Sequence, residues 1–153
     1  MSTNNSAPDL SQRAPRSPRV RLGGYVLLPR VIDKGRASLA GKLGQYRFDG
    51  SGMDRHFYNF VGIEFEAFKG ALAKEGSDSE VLAWVNANAK QPRQPWEISA
   101  WSNYQERRSA DSDVETLEFF AKAVSKFTTT REDILTWFDL LDLDDHCTFG
   151  GKS

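Results

Sequence analysis

Cysteine is nearly missing from this chain of 153 residues. Cys147 stands alone, so no intramolecular disulfide can form, and a reducing compartment suits it. Histidine is almost as scarce: His56 and His146, even with Cys147, fall short of the four well-spaced ligands of a structural zinc site. No long apolar run exists either. The longest, Tyr25 to Pro29, is far below the ~20 residues of a membrane-spanning helix. The opening MSTNNSAPDL has neither the basic nor the apolar region of a signal peptide. There is no phosphate-binding glycine loop, no Gly-x-Ser-x-Gly elbow and no Cys-x-x-Cys. We therefore expect a cytoplasmic protein with no cofactor, no metal and no membrane segment, and we lean against an enzyme.

What is present is core-forming material. Hydrophobic residues make up 39% and aromatics 12%, a composition for packing rather than disorder. A domain of ~150 residues buries ~68–70% of its unfolded surface, enough for a core without staples. Net charge is −1, but it is spread unevenly: residues 1–42 carry +6, 43–112 carry −2 and 113–153 carry −5. Oppositely charged ends can stay solvated, attract one another inside a monomer, or join two chains across a dimer.

Residues 1–18 are rich in Ser, Asn and Pro and read as a mobile basic arm. Arg13, Arg16, Arg19 and Arg21 could neutralise phosphates, yet no aromatic interleaving accompanies them, so nucleic acid is not expected. The stretch Arg16 to Gly41 is the element around which the rest is organised. Tyr25, Leu28, Ile32, Gly35 and Leu39 form one helical stripe. Pro29 either kinks this helix or starts its main part. Gly44 to Asp49 alternates enough for one short extended segment, with Tyr46 and Phe48 on one face.

Helical signals follow one after another. Asp54 to Val61 reads as a short helix closed by Gly62 and Ile63 in a Schellman arrangement. Phe65, Phe68 and Leu72 stripe the next. Ser77 with Glu80 and Ser112 with Glu115 are capping-box patterns, and Pro95 suits a first helical position. Thr129 or Thr130 is expected to cap the last helix, whose inward side is Ile134, Trp137, Phe138 and Leu141. An acid, a β-branched residue, two more and then Trp recur around Trp84, Trp101 and Trp137, which we read as core anchors.

The chain is thus expected to be all-α: a single compact bundle of about six helices over residues 19–143, with an acidic, Gly-rich tail over 144–153. The expected core is Leu28, Ile32, Phe57, Phe60, Phe68, Trp84, Trp101, Phe120, Trp137 and Phe138.

The residues Arg16-Ser17-Pro18, Leu22-Gly23-Gly24, Arg30, Ile32-Asp33-Lys34, Arg36-Ala37, Leu39, Gly41 and Gly44 with Tyr46 resemble a bacterial family of unknown function, DUF5069. Thr136-Trp137-Phe138-Asp139 extends the resemblance over most of residues 10–145. It implies no established activity. The chain departs from that family's pattern at Pro29 and Gly35, where Ala is expected. It departs again at Asp49, Gly50 and Ser51, where a Cys is expected, so cysteine chemistry is not implied.

Two functions from different classes fit. The first is a non-catalytic binding or protein-interaction module, with a protein partner or a homodimer joined through the opposed charged ends. The alternative is an anionic-metabolite site, or an enzyme, built on the first long helix and the Gly41–Gly52 loop. There Arg30 and Arg36 would bind the anion, Asp33 would orient them, and Tyr46 and Asp54 would complete the wall. His56 beside Asp54 reads as a neighbour of a helix cap. Asp142, Asp144, Asp145, His146 and Cys147 read as an acidic helix end, because neither calcium nor zinc spacing is met.

Overall fold

Pro29 decides where the central helix begins. It lacks the N–H that a helix interior needs, but the first turn has no use for that donor. Helix α1 accordingly spans Leu28–Leu39, with Pro29 in its first turn. Of the two readings of Pro29, a kink or the start of the main helix, the second holds, and residues 16–27 form turns rather than helix. Upstream, Leu22 and Tyr25 pair across Gly23 and Gly24, whose φ values of 59° and 88° make a tight reversal open to glycine. Leu27, at the helix entrance, holds φ 73°, a rare value for a residue with a side chain. Its side chain is fully buried with Val26 and Phe138, and its N–H donates to Pro18 O at 2.9 Å. Those contacts over-determine the strained conformation.

The computed structural model describes residues 7–74, 76–110 and 113–152. Among them, seven helices account for nearly all regular structure, and the fold is all-α. After α1 come α2 (Asp54–Val61), α3 (Phe65–Lys74), α4 (Asp78–Asn88), α5 (Pro95–Arg107), α6 (Val114–Ser125) and α7 (Trp137–Thr148). No described helix is long and apolar enough to cross a membrane. Residues 44–49 form turns and an irregular run without ladder partners, although Phe48 does turn into the core.

Helix α1 is covered on most sides, burying Leu28, Val31, Ile32, Gly35 and Ala37. Leu39 leaves the expected stripe and is 44% exposed. Gly35 is needed for close approach: a Cβ there would sit 2.2 Å from Leu72 Cδ1 and 2.9 Å from Phe48 Cζ. The main core adds Phe57, Tyr58, Val61, Phe68, Val81 and Val85. Phe60 and Trp101 stack at 4.7 Å along its edge, and Trp84 also packs on it.

Local signals explain most boundaries. Gly62 adopts φ 72°, and its N–H and that of Ile63 both reach Tyr58 O. Ser77 and Glu80 form the reciprocal capping box at α4, and Pro95 is the first residue of α5. Asp113 caps α6 by accepting from Thr116 N at 2.7 Å; the expected cap Ser112 lies outside the described residues. The cap of α7 is Thr136, boxed with Asp139, and neither Thr129 nor Thr130. Thr128 Oγ1 instead accepts from the N–H groups of Thr130 and Arg131, a local turn that competes with helix there. Helix α7 runs on to Thr148, through much of the stretch expected as a tail.

Residues 7–18, read from sequence as part of an arm, lie against the body of the domain. Leu10 is 1% exposed and donates its N–H to Lys42 O, and Pro15 and Pro18 are buried. Two expected core residues are placed differently. Phe120 and Trp137 are half-buried and pack edge-to-face on each other at 5.0 Å, outside both core clusters.

Candidate functional site

Helix α1 carries Arg30, Asp33, Lys34 and Arg36 within two turns, so their side chains fan around more than one face. The sequence suggests Asp33 as a bridge to Arg30 or Arg36. The structure gives it a different partner. Arg16 donates from its backbone N (2.8 Å), Nε (3.0 Å) and Nη2 (3.0 Å) to the Asp33 carboxylate. The same guanidinium reaches Asp78 Oδ2 at 2.7 Å, and Arg36 reaches Asp78 Oδ1 at 2.9 Å. Asp78 is the first residue of α4, where the helix dipole favours a carboxylate. The hydrogen bond from Arg16 is the main cause that holds its pKa below the ordinary carboxylate value.

Arg30 is buried and grips Asp145 of α7 with two donors, at 2.7 and 3.1 Å. Tyr46 donates its hydroxyl to the same carboxylate at 2.8 Å, and its ring lies 5.6 Å from the Arg30 guanidinium. Burial and then Asp145 push the Tyr46 phenol well above its usual pKa. Burial works against the charge on Arg30, but Asp145 outweighs it. Lys34 meets Asp54, at the start of α2, at 2.6 Å in a buried pair. Nearby Tyr58 has a buried hydroxyl with no hydrogen-bond partner among the described residues, and burial followed by the Asp54 charge raises its pKa.

Arg30, Asp33, Arg36, Tyr46 and Asp54 are therefore all engaged; Arg30 and Tyr46 meet each other on Asp145, while Asp33, Arg36 and Asp54 take partners outside the group. Four cations (Arg16, Arg30, Lys34 and Arg36) face four carboxylates (Asp33, Asp54, Asp78 and Asp145). Arg19 adds ion pairs to Asp139 and Asp142, and Ser17 bonds Asp142 at 2.7 Å. The opposed charges of the two chain ends thus meet inside one chain. The network staples the N-terminal segment and α7 onto α1. From sequence Arg16 reads as part of a basic arm, Asp145 as part of an acidic helix end and Lys34 only as a family residue, and Asp78 has no signal of its own; the uneven charge distribution is what points toward their pairing.

His56 faces Arg55 and Arg108 with no carboxylate partner. Burial first, and then those two cations, lower its pKa to about 4, so it is neutral at ordinary pH. Near the end of α7 a cavity of about 650 Å³ is walled by Arg13, Ser17, Asp142, Asp145 and His146. Among the described residues, no group of three His, Cys, Asp or Glu side chains comes together as a metal site.

A second surface differs in kind. Among the described helices, α6 alone has no buried residue. Val114 is 69% exposed, Phe119 65%, Leu117 48% and, across from the helix, Leu135 65%. Between α6 and residues 128–135 lies a groove of about 570 Å³, lined by Ala110, Leu117, Phe120, Val124, Ile134 and Leu135 with hydroxyls at its rim. Phe120 is the residue of this helix expected in the core from sequence, so the exposure of the helix is a finding of the structure.

Architecture and site together define an all-α domain stapled by internal ion pairs, with one bare apolar face. The chain belongs to the family described as Domain of unknown function (DUF5069), whose model matches residues 12–147. None of the curated proteins matches it.

Proposed function

We propose that this domain is a non-catalytic interaction module that docks a protein partner on the α6 face. The observation that carries the reading is α6 itself, a helix with an apolar stripe and no buried residue. Isolated helices of ~12 residues are marginal in water, and their stability in proteins comes from covering an apolar face. Exposed Leu117 and Leu135 line one groove together with Phe120, Ala121 and Val124, which is how docking surfaces differ from scattered apolar residues. The charged network supports the reading from the other side. Its cations are neutralised within the chain and offer no free guanidinium to an anion.

Site-specific photo-crosslinking tests this reading. A benzophenone amino acid at Leu135, in cells expressing the full chain, is expected to give a discrete adduct. The same group at Glu64, exposed and far from the groove-lining residues in sequence, is the control. No adduct at Leu135, or the same adducts at both positions, would overturn the reading.

A second reading keeps the anionic-metabolite site around Arg30, Asp33, Arg36, Tyr46 and Asp54. It is favoured by one observation: Asp145, which holds Arg30 and Tyr46, lines the cavity near the end of α7 together with Arg13. Arg13 has no ion-pair partner among the described residues, so it would meet the anion first.

A further inference from the structure

We infer that the partner of the α6 face is a second copy of this chain, bound about a two-fold axis with the two α6 helices antiparallel. The inference rests on the interaction reading above and names its partner. The pattern of charge beside the apolar stripe carries it. At ~100° per residue, Val114, Leu117, Ala121 and Val124 cover one side of α6, and Glu118 and Lys122 lie about 40° apart on the adjoining flank. Both are exposed, and neither has an ion-pair partner among the described residues.

Two-fold pairing of antiparallel helices brings the same flank of each helix together, in reversed order. With the axis near position 120, Glu118 of one copy faces Lys122 of the other, and the reciprocal pair forms on the far side of the axis. In a parallel two-fold pair the same flank of each helix falls on opposite sides, so Glu118 and Lys122 of one copy do not meet those of the other. Only the antiparallel form therefore pairs these charges. The apolar side matches as well. Leu117, Ala121 and Val124 of the stripe also line the groove, so stripe and groove are one patch, and a two-fold axis through it sets apolar surface against apolar surface.

The interface is small. A 12-residue helix is ~18 Å long. Standard interfaces bury ~800 Å² per partner, and a single helix with the edge of one groove covers less. The dimer is accordingly weak, with a Kd on the order of 10–100 µM.

Sedimentation velocity of the full chain from roughly 5 to 500 µM brackets that range. The 17.2 kDa chain is expected to shift toward twice that mass as concentration rises. Glu118→Lys and Lys122→Glu, each placing like charges at both reciprocal contacts, are expected to raise Kd about tenfold or more. Mixing the two variants restores opposite charges at both contacts, so the mixture is expected to form a 1:1 dimer with a Kd near the parent's, about tenfold below that of either variant alone. Circular dichroism should find both variants as helical as the parent, because both side chains are exposed and unpaired.

A chain that stays monomeric across the range overturns the inference. So does a dimer indifferent to either substitution, or a mixture that behaves as the sum of its parts. Should the chain remain monomeric while benzophenone at Leu135 still captures a different protein, only the identity of the partner is wrong. No adduct at all would remove the interaction reading itself.

Discussion

Replacing Asp54 with Asn distinguishes a structural carboxylate from one held ready for a ligand. Asp54 and Lys34 meet at 2.6 Å with side chains 6% and 11% exposed, so little water screens them. Removing one member of a buried pair leaves the other charge uncompensated, at a cost of ~3–5 kcal/mol. Asn keeps the shape and one acceptor oxygen, which puts the loss near the lower end of that range. Asp54 is also the acidic residue in the first turn of α2, where loss of the carboxylate costs a further ~0.3–1 kcal/mol. We expect ~3–4 kcal/mol in total, a fall in Tm of about 6–16 °C for a domain of this size. Urea unfolding should give a lower midpoint at unchanged slope. The double variant Lys34→Met with Asp54→Asn removes the orphaned ammonium and should recover more than half of the loss. A single-variant loss below ~1 kcal/mol would refute this account of the pair. An actual gain in stability would mean that the carboxylate is kept for a ligand, and would move the metabolite site ahead.

Two further outcomes test the packing and the titration of the fold. Gly35→Ala gains ~1 kcal/mol of helix propensity, but its Cβ collides with Leu72 and Phe48; we expect a net loss of ~1–3 kcal/mol in urea unfolding, and a stabilised variant would mean that α1 and α3 are not in close contact. His56 has a folded-state pKa of about 4, below its ordinary value of 6.5. The unfolded chain therefore binds more protons in between, and stability is lost as pH falls from about 6.5 toward about 4. His56 is only half-buried, so solvent screening limits the effect to ~1 kcal/mol or so. The urea midpoint of His56→Gln should fall less across that window than that of the parent, and equal slopes would refute the assignment.

Local chemistry was the legible part of the sequence. Ser77 and Glu80, Gly62 and Ile63, and Pro95 each satisfy backbone groups within a few residues, so their helix ends could be read before the fold was known. Pro29 carried the start of α1, once the alternative of a kink is set aside. The partners of Asp33 and Arg30 were not legible in the same way. Arg16 lies 17 residues from Asp33 along the chain, and Asp145 lies 115 from Arg30, distances that only the packing of α7 on α1 closes. Asp33 had two arginines at helical spacing and took neither, because the incoming Arg16 offers a side-chain fork and a backbone N–H together. Thr129 and Thr130, with Glu132 and Asp133 three residues on, had the right chemistry for a capping box, but Thr128 Oγ1 draws the N–H groups of Thr130 and Arg131 into a local turn, and the helix starts only after Thr136.

Apolar spacing was legible as a helix and illegible as burial, and α6 and α3 make the contrast plain. Leu117, Phe120, Ala121 and Val124 repeat at the same spacing that buries Phe68 and Leu72 in α3. Periodicity states which residues share a side of a helix, and it is silent on what lies opposite. In α3 the opposite surface is α1, brought close by Gly35. In α6 Trp137 at the start of α7 meets Phe119 and Phe120, and residues 128–135 face Leu117, Ala121 and Val124 only across an open groove. The α1 network cannot extend to it, since Arg16, Arg30, Lys34 and Arg36 are already spent on carboxylates of their own chain. A domain that neutralises its charges internally and leaves one apolar helix bare has one surface of this kind among its described residues. In the proposed pairing, hydrophobic burial is what that surface gains, and the Glu118 and Lys122 charges decide which way round the second copy sits.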